Sequence, residues 1–134
     1  MMNKMLTAAF AFSCAAMLSS AGAFAGECSN ATVKGHYTYW LQGEDANGKM
    51  YAEAGQEHFD GAGNVKSITG VAGAAKAEED TGTYTVNDDC TGEVTYASGA
   101  HDKIFVAPSG DSFVFTSAKE GVIEAGENTR VDKD

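Results

Sequence analysis

Proline, tryptophan and basic residues are all scarce in this 134-residue chain, and each scarcity excludes something. Pro108 and Trp40 are the single copies of their types. With one proline there is no polyproline segment and no Pro-rich linker. Nine Lys and Arg face nineteen Asp and Glu, a formal net charge of −10. Phosphate backbones are gripped by clustered Lys and Arg, so nucleic acid is not an expected partner, and anionic membrane surfaces are equally disfavoured. The chain has no Gly-x-Ser-x-Gly elbow, no phosphate loop and no Cys/His spacing that makes a zinc cage. No metal and no cofactor is therefore expected. After residue 25 no apolar run approaches the roughly 20 residues of a membrane span.

What the chain does have begins at its N-terminus. Met1 to Ala25 reads as a secretory signal peptide: Lys4 supplies a basic start, Leu6 to Leu18 is apolar and uncharged, and Ala23-Phe24-Ala25 is a small-x-small cleavage site. The alternatives are a retained membrane helix, for which the run is too short and too serine-rich, and a lipoprotein, for which Phe12 is a poor fit upstream of Cys14. The expectation is an exported product, secreted or periplasmic, running from Gly26 to Asp134 as one domain and free of the membrane after cleavage. Loss of Lys4 leaves eight basic against nineteen acidic residues, a formal charge of −11. Solubility after export accounts for this acidity, and a cationic partner is the sharper reading.

Export also bears on the cysteines. Cys14 leaves with the leader, and Cys28 and Cys90 remain. An even count in an oxidising compartment implies a Cys28–Cys90 disulfide rather than two free thiols, with both residues at strand ends outside the core.

The rest alternates between strand-like runs and tight turns. Eight strands are expected: 33–41, 49–59, 65–72, 82–86, 92–97, 103–107, 112–117 and 122–127. Asp45-Ala46-Asn47-Gly48, Asp60-Gly61-Ala62-Gly63-Asn64, Asn87-Asp88-Asp89 and Pro108-Ser109-Gly110-Asp111 supply the turn chemistry between them. Period-two patterning puts Tyr37, Tyr39 and Leu41 on one face, with Tyr84 and Val86, Val94 and Tyr96, Ile104 and Val106, and Phe113 and Phe115 continuing it. Short helical turns are expected at 27–31 and in the Ala-rich 72–79, and a frayed end at 131–134. Eight sequential strands leave two exposed edges unless the sheet closes. The expected fold is thus all-β, a small antiparallel up-and-down barrel of about eight strands, with a two-sheet β-sandwich as the alternative.

Val33-Lys34-Gly35-His36-Tyr37 resembles the opening strand of small exported bacterial β-barrel proteins. The same holds for Gly55 to Phe59 with the turn after it, and for Gly82-Thr83-Tyr84-Thr85-Val86 closing on Cys90-Thr91-Gly92. These largely uncharacterised proteins look like calycins, the superfold of lipocalins and of the allene oxide cyclase barrel. The resemblance covers most of the chain after the leader and implies a fold more than an activity. The chain lacks a lipocalin's Gly-x-Trp, having Gly35-His36-Tyr37 there, and lacks its long C-terminal helix.

Few side chains suggest chemistry. Alternation turns His36 and His58 outward, and His101 falls in a turn; no two share a local ligand spacing. Glu53 and Glu57 share a face with Phe59 and are candidate catalytic acids if that face is inward, although an edge strand or a bulge, which would leave both in water, is the favoured reading. Asp45-x-Asn47-Gly48 and Asp60-x-x-x-Asn64 hold too few oxygen ligands for a calcium loop.

Three functions compete. A binding barrel would hold a small apolar or aromatic ligand among Tyr37, Tyr39, Tyr84, Tyr96 and Phe115. A cyclase- or isomerase-like enzyme would use Glu57 or Glu53. An exported inhibitor or envelope protein would meet a protein partner through an outer face such as His36, Thr38 and Trp40. With no nucleophile–base pair in view, the sequence favours binding or interaction over catalysis, and it leaves the oligomeric state open.

Overall fold

The structure is a computed structural model that describes residues 27–134; the signal-peptide reading of residues 1–25, Cys14 included, lies outside the described residues. Eight strands follow in order: β1 (Lys34–Glu44), β2 (Met50–Asp60), β3 (Asn64–Val71), β4 (Glu78–Val86), β5 (Thr91–Tyr96), β6 (His101–Val106), β7 (Ser112–Ser117) and β8 (Ile123–Asp132). Each pairs antiparallel with the next, and β8 pairs with β1, so the sheet closes into a barrel with no free edge. The sandwich alternative falls with that closure.

Turn residues set the hairpins. Asp45 Oδ1 accepts from the backbone N–H of Asn47 and Lys49 at 2.9 and 3.0 Å. Asp60 accepts from Ala62 and Asn64 N–H at 2.7 and 2.9 Å and from the Asn64 amide at 2.7 Å. Those bonds hold the exposed Asp60 carboxyl down at about 2. Both calcium-like segments thus spend their carboxylate oxygens on the turn itself.

Several expectations need correction. The stretch 72–79 forms no helical turn: β4 already begins at Glu78, because Glu78 and Glu79 find backbone partners opposite Thr69 and Ile68 on β3. β8 runs on to Asp132, which pairs opposite His36, so residues 131 and 132, expected to fray, belong to the strand. His101 opens β6 instead of sitting in a turn. The expected turn near the N-terminus is a 3-10 turn at Asn30–Thr32.

Inward side chains divide the barrel into a filled end and a hollow one. At the filled end Phe59 is the hub, edge-on to Tyr84 at 5.0 Å, Tyr37 at 5.4 Å and Phe113 at 5.6 Å between ring centroids. Val33, Val65 and Ile104 complete this buried layer. The tyrosine hydroxyls are satisfied by backbone: Tyr84 lies 2.7 Å from the Val33 carbonyl, and Tyr37 donates to the Gly110 carbonyl at 2.5 Å. Arg130 ties this end together, reaching the Lys34 carbonyl at 3.1 Å, the Ser109 carbonyl at 2.8 Å and Asp111 Oδ1 at 2.7 Å.

Cys28 and Cys90 form the expected disulfide, with Cα atoms 5.1 Å apart. Both are buried, not peripheral as expected, and the segment after Cys28 is pinned to β4: the Val86 N–H donates to Asn30 Oδ1 at 2.8 Å, and the Tyr84 hydroxyl lies 3.0 Å from the Asn30 carbonyl. The bond spans 62 residues, which in the chain-entropy account stabilises by about 4 kcal/mol.

Candidate functional site: an acidic, aromatic-walled cavity

The other end holds a cavity of about 290 Å³. Gly55 faces inward on β2, and a Cβ there would sit 2.8 Å from the Tyr39 ring and 2.1 Å from the Ile68 carbonyl. Its absence makes room for Tyr39, whose hydroxyl lies 2.5 Å from Thr69 Oγ1. Tyr39, Leu41, Val94, Tyr96, Phe113 and Phe115 give the wall its apolar and aromatic surface.

Four carboxylates point into this space. Glu53 and Glu57 come from β2, Asp102 from β6 and Glu124 from β8. Glu78, Glu79 and Asp80 add three more at the rim. Among the described residues, the lining includes no Lys, Arg or His to offset them. The inward placement of Glu53 and Glu57 overturns the expectation that both face water. The presumed edge or bulge does not exist, because β2 pairs along an unbroken register with β1 and β3.

Glu57 sits deepest. It accepts a hydrogen bond from the Tyr96 hydroxyl and another from the Asn128 amide at 2.5 Å. Burial raises its pKa, and the two donors oppose that shift without cancelling it. Tyr96 is pushed well above its usual range by desolvation and by Glu57, so it keeps its proton and stays a donor. Nearer the mouth, the Tyr51 hydroxyl donates to Glu124. Glu53 is raised by desolvation, then by the charges of Glu124 and Glu78. Asp102 is raised to about 8. Desolvation is the main cause, followed by the charge of Glu124 and a hydrogen bond with it, then by Glu57 and Glu53. A cavity acid that keeps its proton to about pH 8 because other carboxylates crowd it marks a place where a positive charge would be favoured.

The expected ligand-binding residues divide between the two ends. Tyr39, Tyr96 and Phe115 line the cavity, whereas Tyr37 and Tyr84 point inward but are spent in the filled end. Asp102, Glu124, Tyr51 and Asn128 are site residues that the sequence reading missed. On the outside, Trp40 is half exposed, with Thr38 and His36 beside it on the same face of β1.

No family model matches the chain, and no curated protein matches it. Among solved structures it is similar to a redesigned β barrel, with a TM-score of 0.61 and 19% sequence identity over 80% of this chain and 99% of that one. At that identity the likeness concerns the fold alone. The protein is thus a closed eight-stranded antiparallel up-and-down barrel.

Proposed function

We propose that this chain is an exported, calycin-like binding barrel whose cavity takes a small organic cation with an aromatic or apolar body. One observation carries the reading: seven carboxylates and no basic side chain surround an aromatic-walled cavity among the described residues. An ammonium group placed among Glu53, Glu57, Asp102 and Glu124 would supply the missing charge. The rings of Tyr39, Tyr96 and Phe115 suit an aromatic body and attract a cation over their faces. A cavity of this size lies at the lower end for small-molecule sites, so the ligand is small. The leader-like first 25 residues and the disulfide support export.

Calorimetry with three probes sharing one body tests this: 2-phenylethylamine, 2-phenylethanol and 3-phenylpropionate. The amine is expected to bind, the alcohol far more weakly and the carboxylate not at all. Amine affinity should rise between pH 5 and pH 9 as the cavity acids give up protons, and Asp102→Asn should weaken it roughly tenfold to a hundredfold. Equal binding of amine and alcohol, or preference for the carboxylate, would contradict the reading.

A second reading draws on the raised Asp102. A carboxylic acid that keeps its proton near neutral pH and faces a cavity is suited to general acid–base work of the isomerase kind. Deuterium exchange into 4-phenyl-2-butanone in D2O, catalysed by the wild type and lost in Asp102→Asn, would favour that reading over simple binding.

A further inference from the structure

His36 and His58 lie far apart in sequence, yet they are directly opposed across β1 and β2. Their rings stack at 4.4 Å between centroids with 28° between planes. Asp134 closes over the pair, its two carboxylate oxygens 3.2 Å from His36 Nε2 and 3.0 Å from His58 Nε2. The three ligand atoms all lie within 4.8 Å of one another.

The two histidine–carboxylate distances match a metal's coordination edges as well as a pair of hydrogen bonds. Zinc held tetrahedrally at about 2.0–2.1 Å from each ligand places neighbouring ligand atoms roughly 3.3 Å apart. Two imidazoles and one carboxylate also form the ligand set of many three-protein-ligand zinc sites, with the fourth position left to water or a partner.

The backbone builds this arrangement in a specific way. The register between β1 and β8 shifts between His36 and Tyr37, so the chain after Asp132 turns over the outer face of the hairpin. It can pass there because residue 35 is glycine with φ +109°; a Cβ would lie 2.2 Å from the Asp132 carbonyl oxygen. The Asp132 carboxylate then accepts from the Asp134 N–H at 3.1 Å, fixing the last ligand. His36 and Asp134 are exposed and His58 is partly exposed, so an ion can reach all three from solvent.

We propose that His36, His58 and Asp134 form a surface site for a late first-row divalent cation, Zn2+ in the first place, distinct from the acidic cavity. Imidazole ligands favour Zn2+, Cu2+ and Ni2+ over the hard cations Mg2+ and Ca2+. The site is independent of the cavity's ligand.

Calorimetric titration of tag-free, chelator-stripped protein with Zn2+ is the test, followed in parallel by imidazole nitrogen NMR shifts. The expected result is about one Zn2+ per chain, with both His36 and His58 resonances moving and no response to Ca2+ at the same concentration. His36→Ala and His58→Ala should each abolish this binding and Asp134→Ala should weaken it; all three replace side chains outside the core. His101→Ala, which removes another exposed histidine paired with a carboxylate (Glu93, 3.3 Å), should leave it intact. Absence of stoichiometric Zn2+ binding would overturn the proposal. So would binding that survives the His36→Ala/His58→Ala double variant, which would place the ion elsewhere, for instance among the cavity carboxylates.

Discussion

Tyr84→Asp is expected to unfold the protein, while Thr85→Asp one residue along should be nearly silent. Tyr84 is 3% exposed, stands edge-on to Phe59 and has its hydroxyl 2.7 Å from the Val33 carbonyl. Burial pushes its own ionisation up to about 12, a direct sign of how poorly this end of the barrel tolerates negative charge. Replacement by Asp removes the aromatic contact, opens a cavity, leaves a backbone carbonyl without its partner and buries a carboxylate with no cation beside it. Together these exceed about 4 kcal/mol, a large part of the stability of a domain this size. Thr85 faces outward, where an extra carboxylate stays hydrated. Thermal unfolding followed by circular dichroism checks the pair: a cooperative transition lost for Tyr84→Asp and almost unmoved for Thr85→Asp. Equal tolerance of both would mean that the faces of β4 are misassigned.

Asp102→Asn should have the opposite effect, one that grows as pH rises from about 4 and is complete above about 8. The folded protein holds a proton on Asp102 up to about pH 8, whereas in the unfolded chain that proton leaves near the ordinary Asp value of 3.8. Between those limits the folded state binds more protons than the unfolded one, so this group's contribution falls as pH rises through the window and is fully lost above it. Glu53 and Glu57, also raised, act in the same direction. Asp60, Asp89 and Asp111 in the turns, and Asp80 on β4, are held low by hydrogen bonds and act oppositely, but their effect falls at acid pH. Asp102→Asn separates the two sets. At pH 4 it replaces a neutral acid with a neutral amide and should change little. At pH 9 it removes a buried charge from among three others and should stabilise by a few kcal/mol, raising Tm by roughly 10 °C. An equal shift at both pH values would show that Asp102 is ionised throughout.

The outline of this fold is legible because strand periodicity and turn chemistry are local. Tyr37, Tyr39, Tyr84, Phe113 and Phe115 sit at alternate positions of their strands, and all turn inward as expected. Strand ends were harder to place. Beginning the sixth strand at Lys103 dropped Asp102, although Asp102, Ile104 and Val106 share one face by the same alternation. Ending the eighth at Glu127 hid Asn128 in the same way. A polar residue at an inward position looks like the end of a strand when a dry core is assumed, and a cavity breaks that assumption.

The rest depends on contacts that no local pattern encodes. Glu57 meets Asn128 and Tyr96 only once the sheet closes, so the inward turn of its carboxylate could be judged only against a complete register. The histidine pair was closer to reach. A hairpin centred on Asn47 puts His36 opposite His58, and the Asp45-Ala46-Asn47-Gly48 turn marks that centre. Asp134 could not be foreseen beside them, because its approach depends on the register shift near His36.

In the proposed binding barrel, Asp102 holds a proton to about pH 8 that a bound cation displaces. Carbon-detected NMR titration of the Asp and Glu carboxyls, run with and without saturating 2-phenylethylamine, tests it most directly. Asp102 is expected to titrate near 8 in the free protein and to fall by about one pH unit or more when the amine is bound, with Glu53 and Glu57 moving the same way. Titration of every cavity carboxyl between about 4 and 5, unmoved by the amine, would contradict it.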